Sequence, residues 1–193
     1  MKYLLIEMFS ALAVLIPVFM LLGKFKFHDF PKITLYFVFA VYLAAAYHLV
    51  GLPTSQFFTF DVNLNLIPFA GMIDDFKNTC LNVLLFVPLG FFLPMLWTKY
   101  RRMGNTLLFG LCMTIGIELL QLLTLRATDI NDVITNFLGT WLGYCLFVLV
   151  KKYIPKTVQT DNQTRNLAWI FAAVIVVMFF VQPWITSLIY SVM

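Results

Sequence analysis

The chain has 193 residues, of which 62% are hydrophobic and only 11% are charged, and its formal net charge is +4. A soluble domain is closer to half apolar and a quarter charged, so this composition excludes an ordinary soluble protein and indicates an integral membrane protein. The small positive charge is no evidence for a nucleic-acid partner, and we expect none.

Six apolar segments have about the length needed to cross the hydrocarbon core of a bilayer. They lie at roughly 4–22, 33–52, 78–97, 105–125, 130–150 and 167–190. The first has its basic flank, GKFKFH, on its C-terminal side, the reverse of a secretory signal, so we interpret it as a retained span. The sequence predicts an all-α fold, a polytopic membrane bundle of about six transmembrane helices. We expect residues 1–193 to form a single membrane domain, with a cytoplasmic linker at 151–166 and an additional transmembrane helix at 167–193.

The distribution of Lys and Arg predicts the orientation, because basic residues accumulate in cytoplasmic connections. Ten of them follow the first, third and fifth spans: Lys24, Lys26, Lys32, Lys99, Arg101, Arg102, Lys151, Lys152, Lys156 and Arg165. Lys2, Lys77 and Arg126 lie on the other side. We therefore expect both termini to be outside, together with the connection at 53–77 and the short connection around Arg126.

Each of the three central spans carries polar residues on one helical face, at about 100° per residue. Asn78 and Asn82 lie one turn apart in the third span. Glu118 and Gln121 share one stripe of the fourth span with Thr114. The fifth span presents a polar and small-residue arc formed by Asp129, Asp132, Asn136, Gly139, Thr140 and Gly143. Such faces turn toward the bundle and away from lipid. All three lie near the predicted outer ends, so we predict a single outward-facing polar pocket.

Structural roles compete with this interpretation at several positions. Asp129 and Asp132 could simply complement the dipole at the N-terminus of their helix. Asn78 could be an N-cap residue. Asn136 could join neighbouring helices, together with the pair of glycines that follows it at a spacing of four.

Glu118 is harder to explain by structure alone, because it lies within an apolar segment where a charge is costly. Arg126 is the nearest cation in the sequence, and a structural ion pair between the two is one explanation. The other is that Arg126, whose planar guanidinium suits carboxylate and phosphate groups, binds an anionic headgroup. Both explanations make Arg126 a candidate site residue.

Three motifs resemble the VanZ-like family of bacterial membrane proteins. They are NLIPF at 65–69, LNVLLFVPLGFFLP at 81–94, and ELLQLLTLRATDINDVITNFLGTWLG at 118–143. They come in the family's order and spacing, and the resemblance covers roughly residues 30–150. The family is named for a teicoplanin-resistance protein, so the resemblance implies a bacterial cell-membrane location and a link to glycopeptide tolerance. It implies no established reaction. It also adds Asn65, from the first motif, to the candidate site.

We favour a non-enzymatic protein whose pocket binds a membrane lipid or lipid-linked amphiphile by its headgroup. The first alternative is an enzyme acting on a lipid-linked substrate, in which Glu118, Asp129 and Asp132 perform acid–base work or hold a hard divalent cation. The second alternative is a lipid transporter or scramblase. The cysteines show no metal-ligand spacing, and no catalytic or cofactor motif is present, so we assign no catalytic residue and expect no metal and no cofactor. The sequence does not indicate the oligomeric state.

Overall fold

The computed structural model describes residues 2–27, 30–60, 63–73, 75–154 and 164–192. Within these residues, six helices are long and apolar enough to cross a membrane: Ile6–Phe27, Lys32–Leu49, Phe76–Leu96, Met103–Gln121, Ile130–Val150 and Arg165–Ser191. The all-α fold with six spanning helices is therefore confirmed. Which side of the membrane each connection occupies stays a prediction.

The regular elements follow one another in a simple order. The helices are α1 (Lys2–Leu22), α2 (Phe30–Leu49), α3 (Phe76–Leu96), α4 (Met103–Gln121), α5 (Ile130–Val150), α6 (Arg165–Val176) and α7 (Gln182–Val192). Two strands of two residues each, β1 (Leu64–Asn65) and β2 (Thr128–Asp129), precede α3 and α5. The chain divides into two compact units. Unit 1 comprises Met1–Phe58 and Arg165–Met193, and unit 2 comprises Thr59–Thr164.

Unit 1 contains the first, second and last spans. A π-helical segment, Val177–Val181, joins α6 to α7, so these two helices form one continuous span. The core of the unit is mainly apolar and includes the fully buried side chains of Leu15, Phe39 and Ile170. Within its described spans, Nε2 of His48 lies 2.6 Å from Oε2 of Glu7.

Unit 2 contains the three central spans and both strands. A short 3-10 helix, Thr98–Arg101, connects α3 to α4. The strands pair in parallel, with Leu64 opposite Thr128 and Asn65 opposite Asp129. This pairing attaches the connection before α3 to the connection before α5, and so brings polar residues from distant parts of the sequence to one end of unit 2.

The helices α3 and α5 approach each other closely enough for their backbones to touch. A Cβ atom added to Gly139 would lie 2.2 Å from the carbonyl oxygen of Val83, and one added to Gly143 would lie 2.0 Å from that of Val87. The interpretation of these two glycines as a helix-packing pair is confirmed, since small residues allow such close contact. The approach fixes the positions of the polar residues at the start of both helices.

Candidate functional site

The first turn of α5 is organised by Asp129, which is the N-cap residue of that helix. One oxygen of its carboxylate accepts a hydrogen bond from the backbone N–H of Asn131, at 2.8 Å. The expected role of Asp129 at the helix N-terminus is therefore confirmed. The other oxygen accepts a bond from Nδ2 of Asn65 at 3.0 Å. Asp129 thus serves both as a helix cap and as the contact point for the strand that precedes α3.

Glu118 is buried near the end of α4, with only 4% of its surface exposed. Its Oε2 accepts a hydrogen bond from the backbone N–H of Asp129 at 2.9 Å, and its carbonyl accepts one from the Thr128 hydroxyl at 3.0 Å. Residue types alone could not reveal this partner, because it is a main-chain group. Asp132, Asp129 and Arg126 are all near enough to interact electrostatically with the Glu118 carboxylate. Oε1 is buried and has no hydrogen-bond partner among the described residues.

Two further hydrogen bonds connect α5 to its neighbours. Nδ2 of Asn82, on α3, donates to Oδ1 of Asp132 at 2.6 Å. Nδ2 of Asn136 donates to the hydroxyl of Thr114, on α4, at 2.9 Å. Asn136 is 3% exposed, and its Oδ1 has no partner in the described part of the chain. The predicted polar faces of the three spans therefore meet at α5.

Sequence reasoning missed Asn131. Its Oδ1 accepts a hydrogen bond from the backbone N–H of Phe69 at 2.6 Å, and its Nδ2 donates to the carbonyl of Ala70 at 2.9 Å. One side chain thus holds the connection that precedes α3 at two consecutive residues. Its position between two aspartates in the third motif was a signal, but its partners lie 61 and 62 residues earlier in the chain.

We call seven residues the polar cluster, because hydrogen bonds join their side chains to one another or to adjoining elements of unit 2. They are Asn65, Asn82, Glu118, Asp129, Asn131, Asp132 and Asn136. Gln121 is buried at the end of α4, beside this cluster in sequence. Arg126 is exposed in the connection between α4 and β2. No group of three or more His, Cys, Asp or Glu side chains in the described residues could hold a metal ion.

Asn78 lies apart from these contacts. It is exposed, and its Nδ2 donates to Oδ2 of Asp75 at 2.7 Å. The interpretation of Asn78 as an N-cap is wrong, because α3 begins at Phe76 and Asp75 is the residue in the cap position. The helix starts earlier than the apolar segment suggested.

Comparisons with known proteins identify one family. A family model described as VanZ/LLP1 matches residues 39–151, a range that includes α3, α4, α5 and the whole polar cluster. A curated relative, "Protein VanZ" of Enterococcus faecium, is 34% identical over 95 residues, which represent 48% of this chain and 56% of that protein. The chain thus spans little more than half of the length of that relative. No solved structure matches the chain significantly.

Proposed function

This chain belongs to the VanZ/LLP1 family, and from that premise we propose that its polar cluster binds the headgroup of a membrane lipid or lipid-linked amphiphile. We further propose that the cluster faces the outside of the cell membrane and that binding contributes to glycopeptide tolerance, teicoplanin being the first drug to test. The observation that carries the proposal is the buried carboxylate of Glu118, one oxygen of which has no hydrogen-bond partner in the described residues.

A purely structural cluster would be expected to satisfy its buried oxygens internally, because an unmet buried acceptor loses its hydration without compensation. In this cluster, two buried side chains use only one of their two polar atoms in hydrogen bonds to the rest of the protein. Glu118 uses Oε2 to hold the backbone of Asp129, while Oε1 faces no donor in the described chain. Asn136 is similar: its Nδ2 donates a hydrogen bond to Thr114, and its Oδ1 has no hydrogen-bond partner among the described residues. A buried acceptor that has no donor in the described chain calls for an explanation, and a ligand that brings the donor provides one.

The surroundings of the cluster suit an amphiphile. Arg126 is exposed, and its guanidinium provides the geometry that a phosphate or carboxylate group requires. The connection that Asn131 holds presents large apolar side chains, with Ile67, Phe69 and Ile73 each at least two-thirds exposed. An exposed apolar surface next to charged groups is typical of a site that receives an amphiphilic ligand. We propose that the acyl chain of the ligand lies against this connection.

The test compares membrane abundance and teicoplanin susceptibility for Glu118→Gln, Arg126→Ala and the double variant. If the charges bind a headgroup, each single change should abolish the effect of the protein on susceptibility while its membrane abundance stays normal. Glu7→Gln is the matched control, because Glu7 is the other glutamate of the chain and lies in a span of unit 1. It should leave susceptibility unchanged.

Two other patterns would contradict the proposal. If Glu118 and Arg126 form only a structural pair, Arg126→Ala would leave a buried charge unpaired, at about 3–5 kcal/mol, and the protein would disappear from the membrane. The double variant should then restore much of the abundance. If all three variants have normal membrane abundance and unchanged teicoplanin susceptibility, then Glu118 and Arg126 have no role in the proposed function.

A further inference from the structure

Two oxygen atoms of the polar cluster indicate what a ligand must supply. Oε1 of Glu118 and Oδ1 of Asn136 are both hydrogen-bond acceptors, and each is buried without a partner among the described residues. Asn136 is bonded to Thr114, which lies one helical turn before Glu118 on α4. Asn136 on α5 and Glu118 on α4 therefore both make contacts at the last two turns of α4. A group that satisfies their free oxygens must bring hydrogen-bond donors.

The negative charge of the polar cluster indicates which kind of hydrogen-bond donor a ligand should carry. Glu118, Asp129 and Asp132 interact electrostatically and carry three negative charges when all are ionised. Arg126 offsets one of these charges, and the N-terminus of α5 offsets roughly another half. A hydroxyl group would supply a donor but leave the excess negative charge in place. A protonated amine supplies both the positive charge and up to three N–H donors.

We infer that the headgroup bound at the polar cluster carries a protonated amine, which donates hydrogen bonds to Oε1 of Glu118 and Oδ1 of Asn136. The inference rests on the proposed function and narrows its ligand to amine-bearing amphiphiles. Where the headgroup also holds a phosphate, as in a zwitterionic aminophospholipid, that group lies toward Arg126. A headgroup with the same charges but no N–H donor satisfies neither buried acceptor.

Phosphatidylethanolamine and phosphatidylcholine provide the test, because they share a phosphate and a cationic nitrogen, and the nitrogen of choline has no N–H. The purified full-length protein is offered an equimolar mixture of the two with identical acyl chains, and the bound ratio is read by native mass spectrometry. We expect at least about a tenfold preference for phosphatidylethanolamine, which corresponds to about 1.4 kcal/mol. This comparison uses the unaltered protein, so it does not depend on a variant that folds.

Variants then locate the preference. Glu118→Gln removes the charge, Asn136→Ala removes the second acceptor, and each should reduce the preference to about twofold or less, a difference under 0.5 kcal/mol at about 1.4 kcal/mol per tenfold. Glu7→Gln should keep it. A tenfold preference that persists in both cluster variants would mean that the amine binds elsewhere, and the inference would be overturned.

The remaining outcomes separate this inference from the proposed function. Equal binding of both lipids, lost on Glu118→Gln, would show a headgroup site that does not require an N–H donor, and would overturn the proposal of an amine. A preference for phosphatidylglycerol over phosphatidylethanolamine would also overturn the inference of an amine, because its headgroup has hydroxyl groups and no nitrogen. If the protein retains none of these lipids, both ideas fail. If free ethanolamine at an equal concentration displaces the lipid, the site recognises the amine. The proposal that the ligand is an amphiphile would then be wrong.

Discussion

The side chain of Asn131 joins the first turn of α5 to the connection that precedes α3, and it does so at a strained backbone. Phe69, whose N–H it accepts, has a φ of 64°, the only positive φ among the described residues other than glycine. A left-handed conformation costs about 1–2 kcal/mol for a residue with a Cβ atom. The two hydrogen bonds of Asn131 offset this cost, so the connection should depend on this single side chain.

Replacing Asn131 with alanine tests that dependence. We expect Asn131→Ala to lower the free energy of unfolding by about 1–3 kcal/mol, because the N–H of Phe69 and the carbonyl of Ala70 lose their partner. Hydrogen–deuterium exchange should increase across residues 66–73. Asn131→Asp should not restore the contact, because its second carboxylate oxygen would face the carbonyl of Ala70, to which Nδ2 of Asn131 donates.

The matched control is Asn78→Ala, which removes an exposed asparagine whose hydrogen bond goes to Asp75. Exchange across 66–73 should be unaffected by it. If Asn131→Ala leaves the exchange rates of this connection unchanged, then the strand pairing of Asn65 with Asp129 is sufficient to hold it, and the role given to Asn131 is incorrect.

At the scale of elements, the contact between α3 and α5 is what aligns the polar residues. Gly90 on α3 belongs to the same contact, because a Cβ there would lie 2.0 Å from the carbonyl oxygen of Thr140. Without a hydrophobic driving force between helices in lipid, close backbone packing becomes a principal source of association. The hydrogen bond between Asn82 and Asp132 forms about two turns closer to the helix starts than the contact of Gly90 with Thr140, and it depends on the same spacing.

Gly143→Ala should therefore force the two helices apart, because the carbonyl of Val87 is main chain and cannot rotate away. We expect the free energy of unfolding, measured by titration with a denaturing detergent, to fall by about 1–3 kcal/mol. Gly116→Ala on α4 is the control, since a Cβ there has nothing within 4 Å. It should be neutral or stabilise by up to about 1 kcal/mol. Equal effects of the two changes would show that the close approach is not important for stability.

The elements differ in how well the sequence predicts them. Each of the six spans is long and predominantly apolar, so its existence followed from hydropathy, and the boundaries moved by only a few residues. The strands β1 and β2 have two residues each, too few for any alternating pattern. The π-helical segment Val177–Val181 lies within an apolar run, where hydropathy carries no information about helical pitch.

At the scale of the whole molecule, helical periodicity predicted which faces carry polar residues, and the hydrogen bonds of Asn82, Asp132 and Asn136 follow those faces. Periodicity could not predict contacts made by the backbone. The partner of Glu118 is the main-chain N–H of Asp129, and Asn131 holds the main chain of Phe69 and Ala70. It also could not predict the division into two units, in which the last span groups with the first two. That grouping depends on packing between segments more than a hundred residues apart.

The orientation of the molecule in the membrane decides whether the polar cluster can contact molecules outside the cell. The distribution of Lys and Arg predicts that orientation. Ten of the thirteen lie between the first and second, the third and fourth, or the fifth and sixth apolar segments of the sequence. Ser55 and Met103 are exposed and precede and follow α3, so they should lie on opposite sides of the membrane. In a background without Cys80, Cys112 and Cys145, Ser55→Cys should react with a membrane-impermeant thiol reagent added to intact cells.

Met103→Cys should react with that reagent only after the membrane is opened. Met103 is suitable because its side chain is exposed at the start of α4. The polar cluster lies at the end of unit 2 where α3 begins and α4 ends, opposite the Met103 end. Labelling of Met103→Cys in intact cells, with protection of Ser55→Cys, would therefore move the cluster to the cytoplasmic face. The proposed ligand would then have to come from the inner leaflet, and a direct effect on a drug outside the cell would no longer follow.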